Sequence, residues 1–364
     1  MNFALPMKKI IFLITSIFPV VAYGQVVNTA TIDTTTFNIK GKVTVEGYVD
    51  AYYAYNFNSP VKDQPYFVSM ARNNEVNLNL AYIDLKYTSS RIRARLVPGF
   101  GTYMNSNYAK ERGTLKNLVE GSVGVRLTKS KNIWIDAGVF GSPYTNESAI
   151  SKDHLTYTRS FAAEYVPYYL SGVKLSVPLS SKLNAYFYVL NGWQQIEDTN
   201  NKMSGGTQLE YRPNGNLLLN WDTYVGEERS ASDSIQGPRY FTDFYIIYNK
   251  GRFSATSCVY IGKQRESAWW QANIIARYNL SERLSVTGRV EHFNDPHSVQ
   301  IVPITAVKGF STNGSSLGLN YKITDNMLVR LEGRTLFSDK DVFIRDKVAV
   351  NNSTTITSNI TIWF

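Results

Sequence analysis

From residue 40 onward the chain alternates. Apolar and polar residues exchange places over runs of nine to sixteen residues, and each run ends in a cluster of Asn, Gly, Ser, Lys or Pro. A period of two sends successive side chains to opposite faces of an extended strand, so the pattern predicts β-structure with one apolar and one polar face. Sixteen such runs are present: 40–55, 75–87, 91–101, 118–127, 133–141, 168–177, 182–191, 204–212, 216–226, 240–248, 252–262, 268–278, 284–293, 310–321, 327–335 and 354–364. In the third, Arg91, Arg93 and Arg95 share a face opposite Ile92, Ala94 and Leu96. In the first, Lys42, Glu46 and Asp50 oppose Val43, Val45 and Val49. The run 75–87 changes parity after Tyr82, which predicts a bulge or the exit from an apolar band, and 204–212 and 268–278 alternate weakly.

The breaks sort by length. Seven are short: 88–90, 128–132, 178–181, 213–215, 249–251, 279–283 and 322–326. Between them fall 56–74, 102–117, 142–167, 192–203, 227–239, 294–309 and 336–353, with 263–267 the one short member of that set. Short turns at one end, long loops at the other and an even strand count describe an all-β, closed antiparallel transmembrane β-barrel, with both termini on the short-turn side. The runs match the nine to eleven residues with which a tilted strand crosses a bilayer. Closure follows from the solvent, because an open sheet edge in hydrocarbon leaves backbone groups unpaired. Sixteen strands are expected, with fourteen and eighteen as the neighbouring solutions.

The first segment differs. Lys8-Lys9, the apolar run Ile10 to Ala22 and Ala22-Tyr23-Gly24 form the three regions of a secretory signal peptide, residues 1–24. Its removal takes Lys8 and Lys9 and lowers the formal charge from +9 to +7. Residues 25–39 are then expected to be a flexible periplasmic segment, and 40–364 a single barrel domain. No later window holds 18 consecutive apolar residues, so helical spans are excluded. The single cysteine, Cys258, excludes a disulfide framework, and His154, His292 and His297 are too scattered to suggest a metal centre. No nucleotide-binding or metalloprotease motif is present, so no cofactor is expected. The positive balance is too diffuse to name a nucleic acid. His154 beside Ser151 and Asp153 is the nearest approach to a hydrolytic set, and three such residues on one loop are a weak signal.

The last run ends Ile360-Thr361-Ile362-Trp363-Phe364. An aromatic terminus on a final strand is similar to the C-terminal signal of Gram-negative outer-membrane barrels, which implies the barrel assembly machinery as a partner through Phe364. Gly138-Val139-Phe140-Gly141-Ser142-Pro143, the stretch Tyr168 to Pro178 and Val189-Leu190-Asn191-Gly192-Trp193 resemble the OmpL-like β-barrel porin family of Bacteroidota and related bacteria. The resemblance covers most of residues 37–364. It implies an outer-membrane channel, embedded among outer-membrane lipid and lipopolysaccharide, and it allows a homotrimer.

A barrel of this size encloses an aqueous channel, so the expected function is passive diffusion of small hydrophilic solutes and ions. The lumen face is assigned to Lys42, Glu46, Asp50, Arg91, Arg93, Arg95, Arg126, Arg289, Glu291, Arg330, Glu332 and Arg334, and the prominence of arginine predicts mild anion preference. Loop 142–167 mixes charge and aromatics in Tyr144, Glu147, Lys152, Asp153, Tyr157, Arg159 and Glu164, the composition of a constriction folded into the lumen. The alternatives are a substrate-selective nutrient channel with aromatic rings as a slide, and a non-conducting surface-binding barrel. The strand-end rings Tyr52, Tyr53, Tyr55, Phe57, Tyr168, Tyr169, Trp193, Trp221, Tyr240, Phe241, Trp269 and Trp270 are expected in interfacial girdles.

Overall fold

The computed structural model describes residues 41–364. The expected signal peptide and periplasmic segment lie outside the described residues. Sixteen antiparallel strands close into one barrel: β1 (Lys42–Asn56), β2 (Val76–Thr88), β3 (Ile92–Phe100), β4 (Leu118–Arg126), β5 (Trp134–Gly141), β6 (Tyr169–Pro178), β7 (Leu183–Leu190), β8 (Ser204–Asn214), β9 (Leu217–Arg229), β10 (Gln236–Lys250), β11 (Phe253–Gln264), β12 (Ser267–Asn279), β13 (Leu284–Asp295), β14 (Phe310–Thr324), β15 (Met327–Phe337) and β18 (Asn352–Trp363). A hairpin of β16 (Phe343–Arg345) and β17 (Val348–Val350) stands in the last loop. Each barrel strand pairs with its neighbour in sequence, and β1 pairs with β18 to complete the ring.

Parity sets the two faces. Val45, Val49, Ile83, Ile92, Leu96, Val123, Phe187, Val259, Ile274, Val290, Leu331 and Ile360 stand exposed on the outside, where the surrounding medium is lipid. Their neighbours in sequence point inward. The parity change in β2 is a bulge, but it comes before Tyr82: Asp50 pairs with Leu80 and Ala51 with Leu78, so Asn79 is the extra residue, and register is continuous through Tyr82 and Ile83. Gly138 sits at φ +128, and a Cβ there would come within 2.2 Å of the Gly121 carbonyl oxygen, so this position in β5 requires glycine.

Some boundaries differ from expectation. The connection 227–239 shrinks to residues 230–235, because β9 runs on to Arg229 and β10 begins at Gln236. Their charged ends stand above the apolar band, where a strand can continue with polar residues on both faces. Two short helices, α1 (Thr102–Asn107) and α2 (Phe161–Glu164), lie in loops and are too short to register as a 3.6-residue period. The rings divide. Tyr53, Tyr55, Phe57, Trp221, Tyr240 and Trp270 are exposed outside, whereas Tyr52, Tyr168, Tyr169, Phe241 and Trp269 are buried inside, and Trp193 packs inside against Tyr144, Tyr224 and Phe241.

The seven short turns and the strand ends beside them form the periplasmic rim. Its exposed basic residues are Lys42, Arg91, Lys129, Lys131, Lys182, Arg212, Lys250, Arg252, Arg283 and Lys322, and the exposed acids beside them are Glu46, Glu282 and Asp325.

Candidate functional site

The connection between β5 and β6, residues 142–168, does not stand above the barrel. It folds inside. Tyr144 donates its hydroxyl to the Thr223 carbonyl on β9 at 3.3 Å, and the Thr145 amide donates to Asp243 on β10 at 2.8 Å. The Asn146 side-chain amide donates to Thr256 on β11 at 2.9 Å and to Asn273 on β12 at 3.1 Å. Further along, Ser151 donates to Asp50 at 2.9 Å, Tyr157 donates to the same carboxylate at 3.3 Å, and the Leu155 carbonyl accepts from Asn320 on β14. The Thr158 amide donates to Glu332 on β15 at 2.6 Å, and the Phe161 amide donates to Glu291 on β13 at 2.6 Å. The loop is therefore fastened along the wall from β9 to β15 and on to β1.

Many of the predicted inner charges form its seat. Arg289 pairs with Glu291 at 3.2 Å and Glu332 at 3.0 Å, Arg334 pairs with Glu291 at 2.6 Å, and all four side chains are at most 3% exposed. Arg330 donates to the Ser151 carbonyl at 2.5 Å and its hydroxyl at 2.7 Å. Desolvating ion pairs is expensive unless their remaining hydrogen-bonding capacity is filled. Here loop amides and hydroxyls fill much of it. Asp50, Arg289, Glu291, Arg330, Glu332 and Arg334 thus lie beneath the loop rather than against open water.

Within the loop, Glu147 accepts from the Ser160 amide at 2.9 Å, and the Arg159 guanidinium lies 3.8 Å over the Tyr168 ring. Glu164 accepts from the amides of Val68 and Ser69, tying the loop to the first extracellular connection, and burial raises its carboxyl above the usual range. Lys152 and Asp153 pair at 2.6 Å and are partly exposed. His154 is buried in the loop. Burial, then Arg159, lowers its imidazole to about 3, its Nε2 is 2.6 Å from the Ser148 carbonyl, and the Ser151 hydroxyl is engaged by Asp50.

On the other half of the wall Tyr103, Met104 and Tyr108 cover Leu80, Val97, Val119 and Val139, and the arginines of β3 are open to water. Arg93 pairs with Asp136 and stacks 4.4 Å over Trp134, while Arg95 joins Asp84 at 2.7 Å and Glu120 at 2.5 Å. Arg93 and Arg95 are 36% and 37% exposed, against 6% for Asp136 and 2% for Asp84. Water in the lumen meets the guanidiniums and not the carboxylates beneath them. Lys86 bridges to Glu46 at 2.9 Å. Lys42 and Arg91 sit at the rim, as does Arg126, which donates to the turn carbonyls of Lys129 and Lys131. Asp84, Glu120, Asp136 and Lys174 were missed by sequence reasoning. They occupy the polar parity of their strands, so the alternation that picks out Arg93 would have picked them too.

Above the loop lies a cavity of about 1040 Å³ lined by Tyr168, Tyr169 and Trp193 and by more acids than bases, including Glu111, Glu197, Glu227 and Glu228 against Arg112, Arg229 and Arg239. The remaining inner aromatics are not a surface along a path. Phe241, Tyr260, Phe293, Phe161 and Phe310 pack ring against ring at 5.1 to 6.4 Å and are buried. The four wall rings form the apolar floor on which the loop, with Phe161, rests.

Solved porins share this architecture. The anion-selective porin from Comamonas acidovorans superposes with a TM-score of 0.58 at 10% identity, covering 89% of this chain and 100% of that one. Salmonella typhi OmpF in complex with daunomycin gives 0.61 at 10% identity, with 89% and 98% covered. Vibrio cholerae OmpT, folded in vitro and in trimer form, gives 0.57 at 10% identity, with 89% and 99% covered. At this identity the likeness is one of fold. No curated sequence relative matches the chain. Residues 42–364 match the family model described as "Putative beta-barrel porin-2, OmpL-like", and the chain therefore belongs to that family of outer-membrane β-barrel porins.

Proposed function

We propose that the protein passes small hydrophilic solutes and ions down their gradients, with mild anion preference, through the part of the lumen that the loop leaves free. The observation that carries this reading is the lopsided interior: one wall is covered by the docked loop, and the wall of β2 to β6 keeps Arg93 and Arg95 exposed above buried carboxylates. Guanidiniums facing the water lower the barrier for anions. The preference stays mild because each is paired, and because the outer cavity leans acidic. No bond-making step is needed, and the loop residues closest to a hydrolytic set are committed elsewhere. Residues 1–24 would direct export, and Phe364 would present the last strand to the assembly machinery. The trimer form of Vibrio cholerae OmpT supports a homotrimer as the working assembly.

The test is the reversal potential across a planar bilayer under a salt gradient. Wild type should be weakly anion-selective, and the double variant Arg93→Gln, Arg95→Gln should move to non-selective or weakly cation-selective. A cation-selective wild type, or an unchanged double variant, overturns the selectivity. An absence of conductance overturns the channel.

A further inference from the structure

The exposed charges of the periplasmic rim are mostly of one sign, and all seven turns, with their flanking strand ends, contribute. Two of the basic groups are neutralised locally, Arg212 by Glu210 at 3.1 Å and Lys322 by Asp325 at 3.5 Å. The extracellular side is different. Its last loop alone sets Asp339, Asp341 and Asp346 against Lys340, Arg345 and Lys347.

The height of the ring is marked by aromatics. Tyr211 precedes Arg212, Phe253 follows Arg252 and Tyr321 precedes Lys322, and these three rings point outward with 40%, 43% and 47% exposure. Outward rings at strand ends mark the boundary between hydrocarbon and water. Arg212 and Lys322, next to these outward rings within their strands, take the inward parity; Lys250, on the outward parity of β10, and the turn residues Lys129, Lys131, Lys182, Arg252 and Arg283 sit at the level of lipid phosphates. The longest of the turns spans only residues 127–133, so none lifts its charge far from the membrane. A polymer docking from the periplasm would need charge on one projecting face, whereas this charge is spread over separate turns between β4 and β13.

We propose that the rim gathers anionic phospholipid of the periplasmic leaflet, with headgroup phosphates engaged by the turn lysines and arginines. Each basic residue near an anionic surface strengthens attraction roughly fivefold. The effect decays over about 10 Å at 0.1 M salt and about 3 Å at 1 M. This interaction does not depend on conduction, so it stands or falls apart from the channel reading.

The experiment is native mass spectrometry of the full barrel released from nanodiscs holding equal phosphatidylglycerol and phosphatidylcholine. It compares wild type with the variant K129Q/K131Q/K250Q/R252Q, whose folding is checked by heat-modifiable gel mobility. Wild type should retain phosphatidylglycerol preferentially. That preference should fall roughly fivefold or more in the variant, and should also fall when wild type is washed at 1 M salt. Should the quadruple variant not fold, K182Q/R283Q and the salt wash carry the test. Equal retention of the two lipids by wild type, a preference untouched by the substitutions, or one that survives 1 M salt overturns the proposal.

Discussion

Asp50 is fully buried and accepts five side-chain hydrogen bonds, from Asn79, Ser151, Tyr157, Asn359 and Thr361. One carboxylate thus joins β2, β18 and the inward loop. Replacing it with alanine leaves these donors beside Arg330 without their acceptor, and removing one member of a buried charged network costs about 3 kcal/mol. We expect Asp50→Ala to loosen the loop by that amount, so amides such as Thr158 should exchange with deuterium roughly a hundredfold faster while strand amides are unchanged. Exchange at wild-type rate would remove Asp50 from the docking account. Alternation along β1 assigns this residue to the polar face. Its partners were not legible, because they lie between 29 and 311 positions away and meet it only once strand register is set. The same holds for Arg93. Its face is read from three alternating pairs, but its neutralisation by Asp136 depends on how β3, β4 and β5 align.

The inward loop is the element on which the channel turns. Its length and mixed composition single it out along the chain, since a long connection without secondary structure is usually functional or disordered. The wall it chooses was not legible, because that depends on an aromatic floor drawn from β10, β11, β13 and β14, whose rings look like girdle or core residues when taken strand by strand. Nor were the short β16–β17 hairpin and α2, each below the length at which a period can be recognised. Deleting 145–160 should leave the barrel closed, since no barrel strand loses a pairing partner. It should raise single-channel conductance roughly twofold or more, because passage depends on the free cross-section. It would also expose Arg289, Glu291, Glu332 and Arg334 to water, so selectivity should change along with conductance. Unchanged conductance with altered cell-surface contact would instead make the loop a recognition element.

At the scale of the whole molecule, the fold was legible because lipid leaves so few solutions: a period of two, turns sorted by length and an even count suffice to close a sheet. Closure itself is a local event. The backbones of Gly47 and Phe364 exchange two hydrogen bonds at 2.8 and 3.1 Å, and the Phe364 ring covers Gly47 so closely that a Cβ there would lie 2.2 Å from it. An aromatic ring over a glycine is a means of pinning strand register, and here it pins the first strand to the last. A double-mutant cycle tests whether the ring acts in this way. Gly47→Val alone must displace the ring and should destabilise the barrel by about 1–3 kcal/mol, the usual consequence of overpacking. In the background of Phe364→Ala the same valine meets no ring and should be nearly neutral, giving a coupling of about 1–2 kcal/mol. Guanidinium unfolding in micelles, followed by heat-modifiable mobility, supplies the four values. If the two substitutions prove additive, the seam is held by backbone pairing alone, and the terminal phenylalanine serves assembly without serving the closed state.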